Sequence, residues 1–391
     1  MQQTEERRPE TIPIGPLGII ALESHKQLGE KINSYLVEWR NERTYSLQSS
    51  INYENYQKSN YLISTKVPRF GSGEAKGMIK DSVRGDDLYI LVDVCNYNIT
   101  YPIYGRSNHM SPDDHFQDLK RIIAAVGGKA RKITVIMPYL YESRQSKRTR
   151  RESLDCSLAL KELVRMGVDN IITFDAHDPR VQNAIPLRGF ETIQPVYQFI
   201  KGLFRAVPDL YINKDTTMVI SPDEGGMSRA IYMANVLGLD MGMFYKRRDY
   251  ARLINGTNPI AAHEFLGSDI EGKDMIIIDD MISSGNSVLE VAVELKKRKA
   301  KRIFVCSTFG LFTNGMDVFD KAHDDGLIDY LLTTNLVYQT PELLSKPYYI
   351  NCDLSKYIAY IIDNLNHDVS ISNLLSPIER INKFLENNNH S

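Results

Sequence analysis

Short apolar runs rich in β-branched residues alternate with amphipathic segments along most of the chain. The runs lack strict alternation, which is typical of parallel strands buried on both faces of a sheet. In residues 287–299 the apolar positions recur at helical spacing, with charged residues on the opposite face. The pattern predicts repeated β-α-β units and therefore an α/β protein. The predicted strands are 17–22, 88–94, 132–138, 170–175, 217–222, 241–246, 274–280, 302–309 and 329–334.

So many strands indicate two sheets rather than one, and hence two domains. The length of 391 residues agrees, at roughly 150 residues per domain. A break that contains Pro and Gly at 186–192 is the best candidate for the boundary. We therefore expect an N-terminal domain at 14–187, a C-terminal domain at 188–366 and a helical tail at 367–391.

Three long segments interrupt the pattern. The polar segments 40–66 and 96–112 are interpreted as insertions or mobile loops. The third, 249–272, contains several Gly residues and a Pro. Loops of this length inside compact domains are usually lids or disordered segments, so we expect a mobile lid there.

Composition narrows the possible functions. Lys plus Arg number 47 against 49 Asp plus Glu, a net charge of −2, which gives no general attraction to nucleic acid or to an anionic membrane. The first residues lack the pattern of a signal peptide, and no stretch approaches the roughly 18 apolar residues of a membrane span. Cys95, Cys156, Cys306 and Cys352 form no CxxC pair, which favours reduced thiols. We expect a soluble cytoplasmic protein.

The strongest chemical signal is the sequence MIIIDDMISSGNS at 275–287. A buried strand ends in Asp279 and Asp280 and leads through a small turn into a helix. Open α/β sheets bind ligands at the carboxyl ends of strands, where backbone N–H groups and the helix dipole attract phosphate. Adjacent carboxylates suit the vicinal hydroxyls of a ribose or a hydrated Mg²⁺. The alternative is that residues 283–287 only cap the helix while the acids lie in solvent.

Two other predicted strands end in candidate ligands. Asp175 and His177 are two residues apart, so strand alternation places them on one side. A lone His is about as often a structural hydrogen-bonding residue as a ligand. Asp223 precedes Gly225 and Gly226, which permit a close approach of the backbone, although an Asp cap of a helix fits the same pattern.

Two basic clusters follow predicted strands. Residues 144–151 contain five basic residues in eight, which suits a polyphosphate better than nucleic acid because no aromatic residues are interleaved. A solvated basic turn is the alternative. Residues 246–248 are Lys-Arg-Arg and precede the expected lid. Cations on a lid can stabilise the negative charge that develops on a transferred phosphoryl group. The alternative, a basic patch beside an ordinary surface loop, agrees equally well with the composition.

The Asp-Asp-x-x-Ser-Ser-Gly-x-Ser string at 279–287 resembles the phosphoribosyl-binding loop of type I phosphoribosyltransferases. Further motifs in chain order narrow the resemblance to the ribose-phosphate pyrophosphokinase family, over roughly residues 16–366. These motifs are FGSGE at 70–74, DSVRGD at 81–86, YESRQSK at 141–147, FDAH at 174–177, SPDEGG at 221–226 and KRR at 246–248.

The resemblance implies two tandem type I phosphoribosyltransferase-like domains, each a mainly parallel sheet flanked by helices. It implies transfer of pyrophosphate from Mg–ATP to the anomeric hydroxyl of ribose 5-phosphate, which yields AMP and 5-phosphoribosyl 1-pyrophosphate (PRPP). It also implies a homo-oligomer built from dimers, of which hexamers are common in the family. By the same resemblance, the residues that contact ATP would be Phe70, Ser72, Glu74, Arg144 and Gln145. Those that contact ribose 5-phosphate would be Asp223, Asp279, Asp280, Ser283, Ser284, Gly285, Asn286 and Ser287. Mg²⁺ would contact Asp175, His177 and Asp223, and the catalytic cations would be Lys246 and Arg248.

The sequence departs from the family pattern at Ser72, Ser146, Ser283 and Asn286. The family usually has an acid at position 283 and Gly at 286, Asp or Asn at 72, and Asp at 146. Two alternatives therefore stay open. One is a non-catalytic or regulatory relative; the other is a phosphoribosyltransferase that consumes PRPP, which the second domain and the motifs around residues 144 and 177 disfavour.

Overall fold

The computed structural model describes residues 11–43, 56–148, 150–248 and 260–389, which form two compact α/β units. The first unit contains the chain up to Gln194 together with Asn335–Tyr338 and Asp353–Leu375. The second contains Pro195–Thr334, Gln339–Cys352 and the residues from Ser376 onward. Residues 353–375, which we expected in the C-terminal domain and tail, thus group with the first unit.

The first unit is built on a parallel sheet whose strands follow one another in chain order. They are β1 (Leu17–Ala21), β4 (Asp87–Leu91), β7 (Lys132–Ile136), β8 (Asn170–Phe174) and β9 (Gly189–Ile193). Two antiparallel pairs accompany the sheet: β2 (Thr65–Lys66) with β3 (Met78–Ile79), and β5 (Thr100–Ile103) with β6 (Arg106–His109). The helices are α1 (Lys26–Glu42), α2 (Pro112–Val126), α3 (Asp155–Arg165), α9 (Ser355–Asn366) and α10 (Ser372–Leu375).

The second unit is built on a larger, mainly parallel sheet with apolar side chains packed on both faces. In spatial order its strands are β12 (Ile260–Leu266), β11 (Asp240–Arg248), β10 (Thr217–Ser221), β13 (Asp274–Ile282), β14 (Ile303–Gly310), β15 (Tyr330–Thr334) and β16 (Tyr349–Cys352). β12 pairs antiparallel with β11, and the other neighbours are parallel. The helices are α4 (Val196–Ala206), α5 (Met227–Leu237), α6 (Asn286–Lys297), α7 (Asp317–Asp324), α8 (Pro341–Ser345) and α11 (Ile378–Asn388).

The predicted α/β class and all of the predicted strands are confirmed, and the helix expected at 287–299 is α6. Three segments contain strands that we did not predict. The segment 96–112 is not a loop, because it holds the β5–β6 hairpin, whose turn residues Tyr104 and Gly105 have φ of 46° and 74°. The segment 186–192, which we expected to be the domain boundary, contains most of β9, and the chain passes to the second unit shortly after it, between Gln194 and Pro195. The segment 249–272, which we expected to be a lid, contains β12. The remainder of that lid at 249–259, and 44–55 of the other predicted loop, lie outside the described residues.

A buried polar network explains why α9 belongs to the first unit. Arg40 of α1 and Asp363 of α9 are both buried, with Nη2 and Oδ1 3.0 Å apart. Arg40 Nη2 also donates to Asn366 Oδ1 at 2.7 Å, and Asn366 Nδ2 donates to Asp87 Oδ2 at 3.0 Å. Such added hydrogen bonds offset the cost of burying the charges. The network ties α9 to α1 and to the start of β4.

In the part of the chain that the structure describes, no helix combines the length and the apolar character that crossing a membrane requires. The four cysteines are free thiols.

The first unit is expected to lose stability in mild acid through His25, which lies just after β1. Burial lowers the pKa of His25 to about 4, against 6.5 in an unfolded chain. Between pH 6.5 and 4 the unfolded chain therefore takes up a proton that the folded unit does not, so folding stability falls as the pH falls. By linkage the loss at pH 5 is about 2 kcal/mol.

The measurement is urea unfolding at pH 7.5 and pH 5, followed by fluorescence of Trp39, the single tryptophan, which is buried in the first unit. The variant His25→Leu should lose about 2 kcal/mol less than the wild type between these two pH values. Parallel losses in both proteins would contradict the burial of a neutral His25.

Candidate active site

The second sheet has a topological switch point between β10 and β13. From β10 the chain continues to β11 and β12 on one side of the sheet, and from β13 it continues to β14 and the remaining strands on the other. Open α/β sheets bind ligands in the crevice outside the carboxyl ends of strands at such a point. The loops that leave β10 and β13 carry Asp223 and residues 283–287, so both predicted phosphate and sugar segments flank it.

The loop after β10 is folded around the Asp223 carboxylate. Asp223 Oδ1 accepts the Gly226 N–H at 3.1 Å, and the Ser221 hydroxyl donates to the Asp223 carbonyl at 2.7 Å. A Cβ on Gly226 would lie 3.0 Å from Ser221 Oγ and 3.8 Å from Asp279 Oδ1. The absence of a side chain at Gly226 thus lets this loop pass directly beside Asp279.

Asp279 and Asp280 lie near the end of β13, which continues to Ile282 rather than ending at the acids as predicted. Asp280 is buried, Asp279 is partly exposed, and the Asp280 N–H donates to Asp279 Oδ1 at 2.9 Å. Burial, and then the charge of Asp280, hold the pKa of the Asp279 carboxyl well above its usual range, while Arg229 opposes the shift. Two negative charges are therefore unfavourable at this pair, and Arg229 offsets part of their repulsion.

The turn at 283–285 leads directly into α6. Gly285 precedes the helix with φ of 86°, in the left-handed region that favours glycine. A Cβ at this position would lie 2.3 Å from Cζ of the buried Phe319 ring. Thr313 braces the turn, because its N–H donates to the Ser283 carbonyl at 3.0 Å. α6 thus begins beside the switch point, with Asn286 and Ser287 exposed in its first turn, and a helix N-terminus is a favourable place for an anion.

The predicted catalytic cations lie on a strand that extends past the sheet. The last pair between β10 and β11 joins Ser221 to Met243, whereas β11 continues to Arg248. Beyond Met243 it pairs with β12 alone, with Lys246 opposite His263 and Arg248 opposite Ile260. The backbone positions of Lys246 and Arg248 thus lie beyond the carboxyl edge of the sheet on the β10 side.

In the first unit, the structure brings together the segments that carry Arg144 and His177. Residues Ser143–Gln145 form a short 3-10 turn after β7, and the buried Ser143 hydroxyl accepts the His177 N–H at 3.3 Å. Arg144, Gln145 and His177 are exposed. β8 ends at Phe174, and Asp175 is buried with φ of 38°, so strand alternation does not place Asp175 and His177 on one side as we expected.

The predicted adenine-binding segment is a tight hairpin. The Phe70 N–H donates to the Glu74 carbonyl at 2.7 Å, and the Ser72 hydroxyl donates to Glu74 Oε2 at 2.9 Å. The Tyr104 N–H donates to the Gly71 carbonyl at 2.9 Å, which braces the hairpin on the β5–β6 pair. The Phe70 side chain stays 54% exposed and presents its ring to solvent.

The predicted Mg²⁺ contacts are divided between the two units, with Asp175 and His177 in the first and Asp223 in the second. Among the described residues, no group of three or more His, Cys, Asp or Glu side chains is arranged to hold a metal ion by itself.

Sequence analysis missed Arg229, which is 6% exposed and faces both Asp279 and Asp280. A signal was present: Arg229 is the one charged residue in the sequence of α5, MSRAIYMANVL. Thr313, which braces the turn at 283–285, carries no comparable signal because it comes from distant, ordinary loop sequence.

Comparison with protein families gives two matches that together cover most of the chain. A profile described as the N-terminal domain of ribose phosphate pyrophosphokinase matches residues 17–167, and a phosphoribosyl transferase domain profile matches residues 190–332.

Similar proteins agree with these matches. A ribose-phosphate pyrophosphokinase of Mycoplasma genitalium is 31% identical over 69% of this chain and 74% of its own length. The Vibrio parahaemolyticus ribose-phosphate pyrophosphokinase is 29% identical over 80% of this chain and 90% of its own. A crystal structure of phosphoribosylpyrophosphate synthetase from Mycobacterium smegmatis shares the fold, with a TM-score of 0.68, 19% identity, and coverage of 90% of this chain and 99% of that one. This chain therefore belongs to the ribose-phosphate pyrophosphokinase family.

Proposed function

We propose that this protein transfers the pyrophosphoryl group of Mg–ATP to the anomeric hydroxyl of ribose 5-phosphate, producing PRPP and AMP. The observation that carries the proposal is the arrangement at the β10–β13 switch point, where the Asp279–Asp280 pair lies next to the Gly285 turn that opens α6. Carboxylates accept hydrogen bonds from the vicinal hydroxyls of a ribose, and backbone N–H groups at a helix start bind its phosphate.

The second unit holds the sugar phosphate in this proposal. Asp279 and Asp280 bind the ribose hydroxyls, and Asp223 faces the same ligand from across Gly226. The 5-phosphate lies in the turn and first residues of α6, where Gly285 allows the backbone to approach closely. The residues of this phosphate loop are Ser283, Ser284, Gly285, Asn286 and Ser287.

The nucleotide is held by residues of the first unit. The exposed Phe70 ring offers a face to adenine, and Ser72 and Glu74 border it on the same hairpin. Arg144 and Gln145, both exposed, contact the polyphosphate.

Mg²⁺ enters with ATP as part of the substrate, and Asp175, His177 and Asp223 are its proposed protein contacts. Two carboxylates and an imidazole fit this role, because Mg²⁺ bound to a nucleotide keeps several waters and phosphate oxygens and needs one or two protein carboxylates. The ion supplies positive charge that offsets the negative charge of the phosphates.

The transfer is an in-line displacement. The anomeric oxygen forms a bond to the β-phosphorus while the bond from that phosphorus to the α–β bridging oxygen breaks, and AMP leaves with that oxygen. The anomeric proton passes to solvent. Lys246 and Arg248 on β11 stabilise the negative charge that develops on the transferred group. The protein therefore contributes positioning and electrostatic stabilisation.

The proposal includes a homo-oligomer assembled from dimers, as the family resemblance implies, that acts in the cytoplasm without a nucleic-acid or membrane partner. Light scattering coupled to gel filtration tests the assembly, and a monomer at working concentrations would contradict it.

Phosphorus NMR tests the reaction directly. Protein, Mg²⁺, ATP and ribose 5-phosphate are mixed, and AMP and PRPP should appear together in equal amounts. Binding of ribose 5-phosphate without turnover would instead identify a non-catalytic relative, to which the departures at Ser72, Ser283 and Asn286 point. Consumption of added PRPP in the presence of a nucleobase would identify a phosphoribosyltransferase.

A further inference from the structure

Arg229 occupies a position that is unfavourable for an arginine unless a partner compensates it. It lies in the first turn of α5, where the helix dipole disfavours a positive charge, and α5 has no acidic residue. The side chain is also buried, and burying a guanidinium is costly without nearby anions. The compensation must therefore come from outside the helix.

The compensating anions are the two predicted sugar-binding carboxylates. Arg229 Nη1 lies 3.7 Å from Asp279 Oδ1, and Nη2 lies 3.9 Å from Asp280 Oδ2. One arm of the guanidinium faces each carboxylate, which a lysine ammonium could not reproduce. At these distances the guanidinium acts on both carboxylates as a counter-charge.

The same helix start also holds Asp223. The Arg229 N–H donates to the Gly226 carbonyl at 3.1 Å, and the Gly226 N–H donates to Asp223 Oδ1 at 3.1 Å. The first turn of α5 thus connects Asp223, through its backbone, with the acid pair on β13, through the Arg229 side chain.

We propose that Arg229 is a positioning residue for the sugar, whose two arms offset the repulsion between Asp279 and Asp280 and keep both carboxylates directed at the hydroxyls of ribose 5-phosphate. This inference rests on the proposed function and deepens it. The competing explanation is that Arg229 only stabilises the fold by neutralising buried charge. If Arg229 positions the carboxylates, its effect on sugar affinity depends on the charge of Asp280. If Arg229 only stabilises the fold, its effect on sugar affinity is the same with or without that charge.

A double-mutant cycle separates them, with ribose 5-phosphate affinity measured by calorimetry in the presence of Mg²⁺. Arg229→Gln is expected to weaken binding about 10- to 100-fold, because the acid pair loses its counter-charge. Arg229→Lys should recover part of the loss. In an Asp280→Asn background, where the repulsion is already removed, Arg229→Gln should change affinity by about threefold or less.

Arg302→Gln is the matched control. Arg302 pairs with Asp274 at the opposite end of β13, with Nη2 and Oδ2 2.6 Å apart, so its loss removes a comparable ion pair away from the site. It should lower thermal stability and leave sugar affinity unchanged. If Arg229→Gln does not fold, Arg229→Lys takes its place in the cycle.

Equal losses from the Arg229 substitution in both backgrounds would overturn the role of Arg229 while leaving the proposed function intact. Failure of the wild-type protein to bind ribose 5-phosphate would overturn the proposed function, and the positioning role with it.

Discussion

Replacing Gly285 by alanine is expected to weaken the binding of ribose 5-phosphate by about 100-fold or more. Alanine is strained at the φ of 86°, and its Cβ would lie 2.3 Å from Cζ of Phe319. That ring is fully buried and packs at right angles to Phe312, with centroids 5.3 Å apart, so it cannot yield without moving α7. The turn must move instead, and the N–H groups at the start of α6 then lose their alignment with the phosphate. Calorimetric titration measures the loss.

Gly272→Ala provides the control for backbone strain. Gly272 has φ of 74° and lies just before β13, at the end away from the site, with no atom within 4 Å of a Cβ placed there. Its substitution should cost about 1 kcal/mol of stability and leave sugar affinity unchanged. Wild-type affinity in a folded Gly285→Ala protein would mean that the phosphate is bound elsewhere.

The three strands of the two large sheets that we did not predict are edge strands, whereas the fourth edge strand, the apolar β1, was predicted. β9, β12 and β16 each end a sheet, and their sequences GFETI, IAAHEFL and YINC mix polar with apolar residues. A central parallel strand is buried on both faces and reads as a continuous apolar run, whereas an edge strand has one neighbour and tolerates polar residues. Apolar pattern therefore predicts the centre of such a sheet better than its margins.

In the candidate site, too, the sequence predicts only part of the structure. The segment 279–287 could be identified because its acids, turn and helix start are contiguous in sequence and form a single strand–turn–helix unit. Arg229 on α5 and Thr313 in the loop after β14 act on that segment from other parts of the chain, and their approach depends on the pairing of β10 with β13 and of β13 with β14. The expected alignment of Asp175 with His177 failed for a local reason, because β8 ends one residue before Asp175 and the chain turns with a positive φ.

Lys246→Ala is expected to lower kcat about 100- to 1,000-fold and to change the affinity for ribose 5-phosphate about threefold or less. β11 carries Lys246 beyond the carboxyl edge of the sheet, at the side where the β10 loop begins, while the carboxylates and the turn of the sugar site lie on β13 and α6. A cation so placed serves mainly the transfer step, when charge develops on the pyrophosphoryl group. Steady-state kinetics and calorimetry of sugar binding measure the two effects separately.

Lys297→Ala is the matched lysine control in the same unit. Lys297 lies in the last turn of α6, exposed and paired with Glu294, with Nζ and Oε1 2.7 Å apart. Its removal should leave both kcat and sugar affinity unchanged, because exposed ion pairs contribute little and this one lies at the end of α6 away from the phosphate turn. Equal losses of turnover and of sugar affinity in Lys246→Ala would contradict a role confined to transfer, and would instead assign Lys246 to the binding of the ground-state sugar phosphate.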